Sequence, residues 1–328
     1  DSIWNPVRID GSTQRGYDGD PLVSLVASTG REYGLRLYGG SDGSTIRGLN
    51  IQGFSATAID IGGSNNNTVA GNWIGLNATG TIAAGSNIGV NIYSGSNNII
   101  GGTSDADRNI ISGNAWAGIY ATTNANNNQI LGNYIGLDVT GTTSIANGGD
   151  GIRIFNSAGN SIGNGSHTGR NIISGNVQRG IYLENGDDTI IRGNFVGTNV
   201  AGSGDIDGTS TNILQSGIFL TSSSTGVTIG GYYAGEGNVI SGNNWYGVEF
   251  VGAGTSDNIM VGNIVGLNAA GTAALGNASG GVSFFNGASN NTVGGGQIGA
   301  RNILSGNQAY GVYIATSNPT GNKVQGNY

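Results

Sequence analysis

Cysteine is absent from all 328 residues, so the chain has neither a disulfide framework nor a thiolate metal site. Lysine is nearly absent too. Lys323 is the sole copy, the twelve basic residues are scattered, and the formal net charge is -7. A duplex nucleic acid partner needs clustered Lys and Arg, and is excluded. The 3 prolines and the lack of a three-residue glycine period rule out collagen, despite 65 glycines. No run reaches the roughly 18 apolar residues of a membrane span. Asp1-Ser2-Ile3-Trp4 lacks the charged and apolar regions of an export signal, so any such signal is expected to be removed or to lie outside this chain.

Short runs of Ile and Val between Gly- and Asn-rich stretches mean many short strands joined by tight turns. The runs repeat. Asn-Ile-Ile-Ser-Gly-Asn occurs at 109–114 and 171–176, then as NVISGN at 238–243 and NILSGN at 302–307, at intervals of 62, 67 and 64 residues. A Gly-Asn-aromatic-Ile-Gly string starts at Gly71, Gly132 and Gly193, with a variant at Gly262 and a truncated copy at Gly326. A third string, Gly-apolar-x-apolar, begins at Gly34, Gly89, Gly118, Gly151, Gly180, Gly217, Gly247, Gly281 and Gly311, with Ala58 in the same role. It marks about ten turns of three short strands each. Such strands become stable only when equivalent ones stack in parallel about 4.8 Å apart, so the expected fold is an all-β, right-handed parallel β-helix.

Residues 1–33 are expected to form an irregular first turn or cap, with Val23–Val26 as its strand, and 34–328 the solenoid. The chain ends inside a motif, so the solenoid is expected to continue past Tyr328, or to meet another copy end to end. Asn114, Asn176, Asn243 and Asn307 are expected at one corner of alternate turns, in left-handed backbone, bonding along the stack.

The strings NIISGN, GNYIGLDVTGT, NGGDGI and NNTVGG resemble the β-helix repeat proteins of the pectate-lyase-like superfamily, in particular large extracellular bacterial proteins that carry such repeats. The resemblance covers nearly the whole chain, including the lead-in from Arg8 to Gln14. It implies a right-handed solenoid, export, and contact with polysaccharide along the outer face of one sheet. Fold alone does not carry activity.

Alternation gives that face directly. The outward residues of the first strand run Arg36, Asp60, Asn91, Tyr120, Arg153, Tyr182, Phe219, Glu249, Ser283 and Tyr313. Two residues on, they run Tyr38, Gly62, Tyr93, Thr122, Phe155, Glu184, Thr221, Val251, Phe285 and Ala315. Tyr93, Tyr120, Phe155, Tyr182, Phe219, Phe285 and Tyr313 are therefore candidate ligand-binding residues: flat rings at about 5 Å intervals suit a sugar polymer. The competing reading is a ladder of rings that stack only on each other. Trp73, Tyr134, Phe195 and Tyr328 form a second outward set, suited to covering a sheet face or meeting another chain.

A glycosidase needs two carboxylates flanking the scissile bond, and a lyase of the resembled type a calcium and a basic residue. The candidate catalytic group is Arg153, Glu184, Asp188 and Glu249, with Asp187 alongside. Asp205 and Asp207, in Gly204-Asp205-Ile206-Asp207-Gly208, are the candidate calcium ligands; no other cofactor is expected. His167, the single histidine, sits in a polar loop. The leading expectation is a non-catalytic extracellular stalk, adhesin or matrix component that binds glycan along the aromatic row. A polysaccharide lyase or glycosidase on the same face, and a phage-type tailspike, are the alternatives.

Overall fold

A computed structural model of the chain describes residues 2–206, 216–315 and 317–328. Three parallel sheets run its length, two of eleven strands and one of ten. Each turn contributes one strand to each sheet in rotation, and every strand pairs with its counterpart one turn away. This is a right-handed parallel β-helix. The first sheet holds the strands that follow the Gly-apolar-x-apolar glycine, such as Ile152–Phe155 and Ile181–Glu184.

Residues 2–33 supply a strand to each sheet. Ser2–Ile3 pairs with Tyr33–Tyr38, Arg8–Asp10 with Thr45–Arg47, and Val23–Val26 with Leu49–Gln52. The first sheet thus has one strand more than the ten expected from the glycine string. The glycine of that string is required by close approach. A Cβ on Gly151 would lie 2.8 Å from the carbonyl oxygen of Gly180, and one on Gly180 would lie 2.7 Å from that of Gly217.

Inward side chains of all three sheets form one apolar column of mainly Ile, Val and Leu, with a Phe250–Phe284 stack at 5.1 Å. A second, smaller cluster lies outside it, on the outer face of the third sheet. Trp73, Ile110, Tyr134, Ile172, Phe195 and Val239 are buried there beneath loops of the same chain. Those loops fold back in antiparallel bridges, Leu76 to Ala83, Leu137 to Ser144, Thr198 to Asp205 and Leu267 to Ala274. They occur in every second turn, which is why the sequence repeat spans two turns.

The corners are held by asparagine ladders. Between the second and third sheets, Asn72, Asn109, Asn133, Asn171, Asn194, Asn238, Asn263, Asn302 and Asn327 form an unbroken series. Each Nδ2 donates to the next Oδ1 at 2.9 to 3.0 Å. The same Oδ1 accepts the preceding residue's backbone N–H, as in Asn133 to Asn171 at 3.0 Å. A buried corner thereby satisfies its polar groups without water. Asn114, Asn147 and Asn176 form a similar run, as do Asn243, Asn277 and Asn307. Two expectations are corrected here. The ladder has members on successive turns, not only alternate ones. And the left-handed residue is not the asparagine but the glycine before it: Gly113, Gly175, Gly242 and Gly306 have φ of 73, 75, 77 and 77°.

A third ladder, Asn67 to Asn98, Asn128 and Asn160, stops at Thr189 and resumes at Asn258. At the break, Asn160 Nδ2 and Thr189 Oγ1 are buried without a hydrogen-bond partner.

Asn171→Ala removes bonds to Ile130 and Asn194 and takes from Asn133 the one oxygen that accepts both its backbone N–H and its Nδ2. It is expected to cost about 2 to 4 kcal/mol of stability in urea unfolding. A change below about 0.5 kcal/mol means that the ladder is incidental.

Candidate functional site

Register places the outward residues of the first sheet as alternation requires. Asn91 pairs with Tyr120, Tyr120 with Arg153, Arg153 with Tyr182, Tyr182 with Phe219, and Phe219 with Glu249. The second column follows: Tyr93 with Thr122, Thr122 with Phe155, Phe155 with Glu184. A column not foreseen in the sequence joins them, formed by the residue just before each strand-one glycine. It includes Asp150, Arg179, Ser216 and Tyr246. That constant offset from the glycine is the signal that would have revealed it.

Asp150, fully buried, anchors the middle of this face. Its carboxylate lies 3.4 Å from Arg153 and 3.8 Å from Arg179, and accepts the Arg179 backbone N–H at 3.2 Å. Arg153 reaches on to Glu184 at 3.2 Å, and the Tyr182 hydroxyl donates to the same Glu184 oxygen at 2.9 Å. Glu249 is buried and accepts the Ser216 hydroxyl. Arg153 and Glu184 thus belong to one network that also contains Asp150 and Arg179, while Glu249 stands apart from it on Ser216. Asp188 does not join it. With φ of 52° it is a left-handed corner residue whose carboxylate lies over Gly226. Asp187 likewise spends its carboxylate on Thr225.

Burial raises the Asp150 carboxyl despite the nearby Arg179 and Arg153. It also raises Glu249, against the lowering pull of Ser216, Arg179 and Trp245. Tyr182 is pushed up to about 12, by burial first and then by Glu184. A phenol so placed is a poor base near neutral pH.

Most rings of the aromatic row spend their faces on each other. Tyr182 stacks on Phe219 at 5.5 Å and 9°, and the Arg153 and Arg179 guanidinia lie 4.2 and 4.9 Å from its centroid. Arg179 also lies 4.4 Å from the Phe219 centroid. Phe285 and Tyr313 pack at 5.6 Å, and Tyr246, itself buried, meets both. Phe155 is half-buried beside Glu184.

The N-terminal end of the face differs. A hollow of about 430 Å³ opens there, walled by Tyr33, Tyr38, Tyr93 and Tyr120 and floored by Asp60 and Asn91. Asp60 accepts Asn91 Nδ2 at 2.7 Å and Arg36 Nε at 3.3 Å. Tyr38 is backed by Trp4 at 4.9 Å and Tyr120 by Trp116 at 5.0 Å, whereas Tyr93 stands 51% exposed.

Asp205 closes one of the covering loops, with its carboxylate against Gly242, and Asp207 lies outside the described residues. No three His, Asp or Glu side chains are grouped as metal ligands among the described residues. No helix among them is long and apolar enough to cross a membrane.

Solved structures share this architecture. The A-module of the mannuronan C-5 epimerase AlgE4 of Azotobacter vinelandii aligns over 99% of this chain and 80% of its own, at 12% identity and a TM-score of 0.50. The likeness is one of fold, the parallel β-helix. The catalytic domain of a GH87 α-1,3-glucanase aligns over 99% of this chain and 62% of its own, at 15% identity and a TM-score of 0.47. Pectate lyase Pel9A aligns over 94% and 69%, at 12% and 0.39. No family model and no curated protein matches the chain.

Because the folded Glu249 carboxyl keeps its proton to higher pH than the unfolded one, the native state holds the extra proton between the two values. Stability falls as pH rises through that window. Glu249→Gln lacks this loss, so its stability relative to the parent is expected to rise as pH climbs above the ordinary glutamate range, about 4, in urea unfolding. A flat or falling difference contradicts the buried placement of Glu249.

Proposed function

We propose that the protein is a non-catalytic, extracellular β-helix that binds glycan, and that its binding site is the hollow around Tyr93 rather than the whole aromatic row. The observation that carries this is the contrast between ring faces. Tyr93 stands exposed above a floor of Asp60 and Asn91, whereas Tyr182 and Phe219 are flanked by one another and by guanidinia. A sugar presents C–H groups to a ring face and hydroxyls to carboxylate and amide groups, and the hollow offers both kinds of partner. The shared fold supplies a rigid platform and no chemistry of its own.

The central network favours this reading too. Its carboxylates are engaged by arginines and a tyrosine, and Glu249 by a serine, which fixes side chains on the sheet face and leaves little to do for an attacking or protonating group. The catalytic alternative rests on one feature, the burial-raised carboxyls of Asp150, beside Arg153 and Arg179, and of Glu249, since shifted acids gather at active sites.

A panel of oligosaccharides scored for retention and for release of reducing ends separates the two. Tyr93→Ala is expected to weaken retention about tenfold, consistent with losing one aromatic platform, and Tyr182→Ala to leave it unchanged. Equal retention by Tyr93→Ala and the parent removes the hollow. Release of new ends that disappears in Glu184→Gln or Glu249→Gln establishes the enzyme instead.

A further inference from the structure

On the other side of the molecule, one device recurs and then fails in a single repeat. An arginine precedes the corner asparagine in Arg108-Asn109, Arg170-Asn171 and Arg301-Asn302. Its guanidinium lies over the aromatic ring that follows the next corner asparagine. The distances to centroid are 4.4 Å for Arg108 over Tyr134, 4.0 Å for Arg170 over Phe195 and 3.8 Å for Arg301 over Tyr328. In the remaining copy both partners are missing, with Gly237 in place of the arginine and Ile264 in place of the ring. The glycine is forced, because a Cβ there would lie 2.0 Å from the carbonyl oxygen of Gly262.

The double loss leaves a gap. The covering loops of the earlier repeats rest on the ring, with Gly141 against Tyr134 and Gly202 against Phe195. Gly271, their counterpart in the covering loop of this repeat, meets no ring. The result is a groove of about 740 Å³ along the corner of the second and third sheets. Arg170 and Arg301 line it four turns apart, about 19 Å at the spacing of parallel strands. Tyr232 and Tyr233 form its wall, and Tyr233 is 78% exposed.

The charge in this groove is unbalanced. Arg108 has Asp105 at 2.5 Å, whereas Arg170 and Arg301 have no carboxylate partner among the described residues. Arg170 is half-buried and spends Nε on the Gly193 carbonyl at 2.9 Å; Arg301 Nε does the same with Gly326 at 3.1 Å. No acidic residue among the described ones lines the groove. The nearest acid in sequence, Glu236, is engaged by Arg192 at 3.2 Å and by the Tyr233 backbone N–H. Two guanidinia without a carboxylate partner among the described residues, Arg170 half-buried and Arg301 exposed, in a chain of net charge -7, mark a place for an anion from outside.

We propose that this groove is a second binding site, for a linear acidic oligosaccharide whose carboxylates pair with Arg170 and Arg301 and whose sugar rings lie against Tyr232 and Tyr233. Two cations this far apart call for a chain carrying several charges rather than a single small anion, and the exposed rings favour sugar over a polymer without ring faces. The site is independent of the hollow around Tyr93.

Calorimetric titration with tetragalacturonate, with maltotetraose as the neutral control and a short inorganic polyphosphate as the ring-free control, tests it. The uronate tetramer is expected to bind, and the two controls to bind at least about tenfold more weakly. Arg170→Gln combined with Arg301→Gln should weaken the uronate about tenfold or more. Ile264→Tyr, which restores the missing ring at a partly exposed position and fills the groove, should do the same with an unchanged urea midpoint. Tyr93→Ala should leave uronate binding intact. The proposal is overturned if the uronate shows no saturable binding, if either control binds as well, or if a folded Ile264→Tyr protein binds like the parent. Loss of uronate binding in Tyr93→Ala also overturns it, because that assigns the ligand to the first-sheet hollow.

Discussion

A parallel solenoid must turn three corners per coil, and at each corner the backbone leaves the sheets and their hydrogen-bond ladders. Buried backbone donors and acceptors left without partners there would each cost on the order of 1 to 3 kcal/mol. This chain meets the constraint with asparagine, whose amide carries an acceptor and two donors on a short stem. In the ladder from Asn72 to Asn327, each Oδ1 takes a backbone N–H and an Nδ2–H from the turn before, and each Nδ2 serves a carbonyl as well as the next asparagine. The bonds run along the axis, so they set the same spacing as the strands. Apolar columns fill the interior of such a stack but tolerate sliding of one Ile over another; a directional amide ladder does not. Register is therefore specified at the corners and inherited by the sheets.

What the outer faces can do follows from that register. Residues some thirty positions apart in sequence become neighbours about 4.8 Å apart. At that distance rings and guanidinia close on one another, as Arg153, Tyr182, Arg179 and Phe219 do, and a row of aromatics becomes a packed ladder. Open surface appears only where the series is interrupted. In the first sheet, Gly62 lies between Tyr38 and Tyr93 and leaves room for the hollow. On the third sheet, Gly237 and Ile264 interrupt the arginine and ring series and leave the groove. Both candidate sites are gaps in a repeat.

The three-strand turn, the outward columns and the grouping of Arg153 with Glu184 were legible because they depend on period and alternation, which side-chain pattern records directly. The direction of a ring face was not legible. The string that places Tyr182 outward says nothing about Arg179, whose side chain lies over it from outside the strand-one alternation. Asp150 escaped notice for the same reason, since a residue before the strand glycine carries no apolar period. Asn tolerates left-handed backbone, so composition points to Asn114 and its equivalents; the glycine beside each tolerates it better and takes the position. Asp188 was drawn into the candidate site by its nearness to Glu184 in sequence, yet the corner turns it toward Gly226. The strands of residues 2–33 lack the glycine string that marks the later turns, so the first coil was only partly visible.

The central claim is that equivalent strands stack one turn apart in a single register. Absence of native cysteine makes cross-linking a clean measurement of it. Gln129 and Ser161 are paired partners in the second sheet, away from both candidate sites, whereas Gln129 and Ile190 are two turns apart. Adjacent strands lie within the Cα separation that a disulfide spans, and strands two turns apart, at about 9.6 Å, lie beyond it. Gln129→Cys with Ser161→Cys is expected to cross-link within one chain under mild oxidation, and Gln129→Cys with Ile190→Cys to stay reduced. Equal cross-linking of the two pairs, or a preference for the second, contradicts the stacked register.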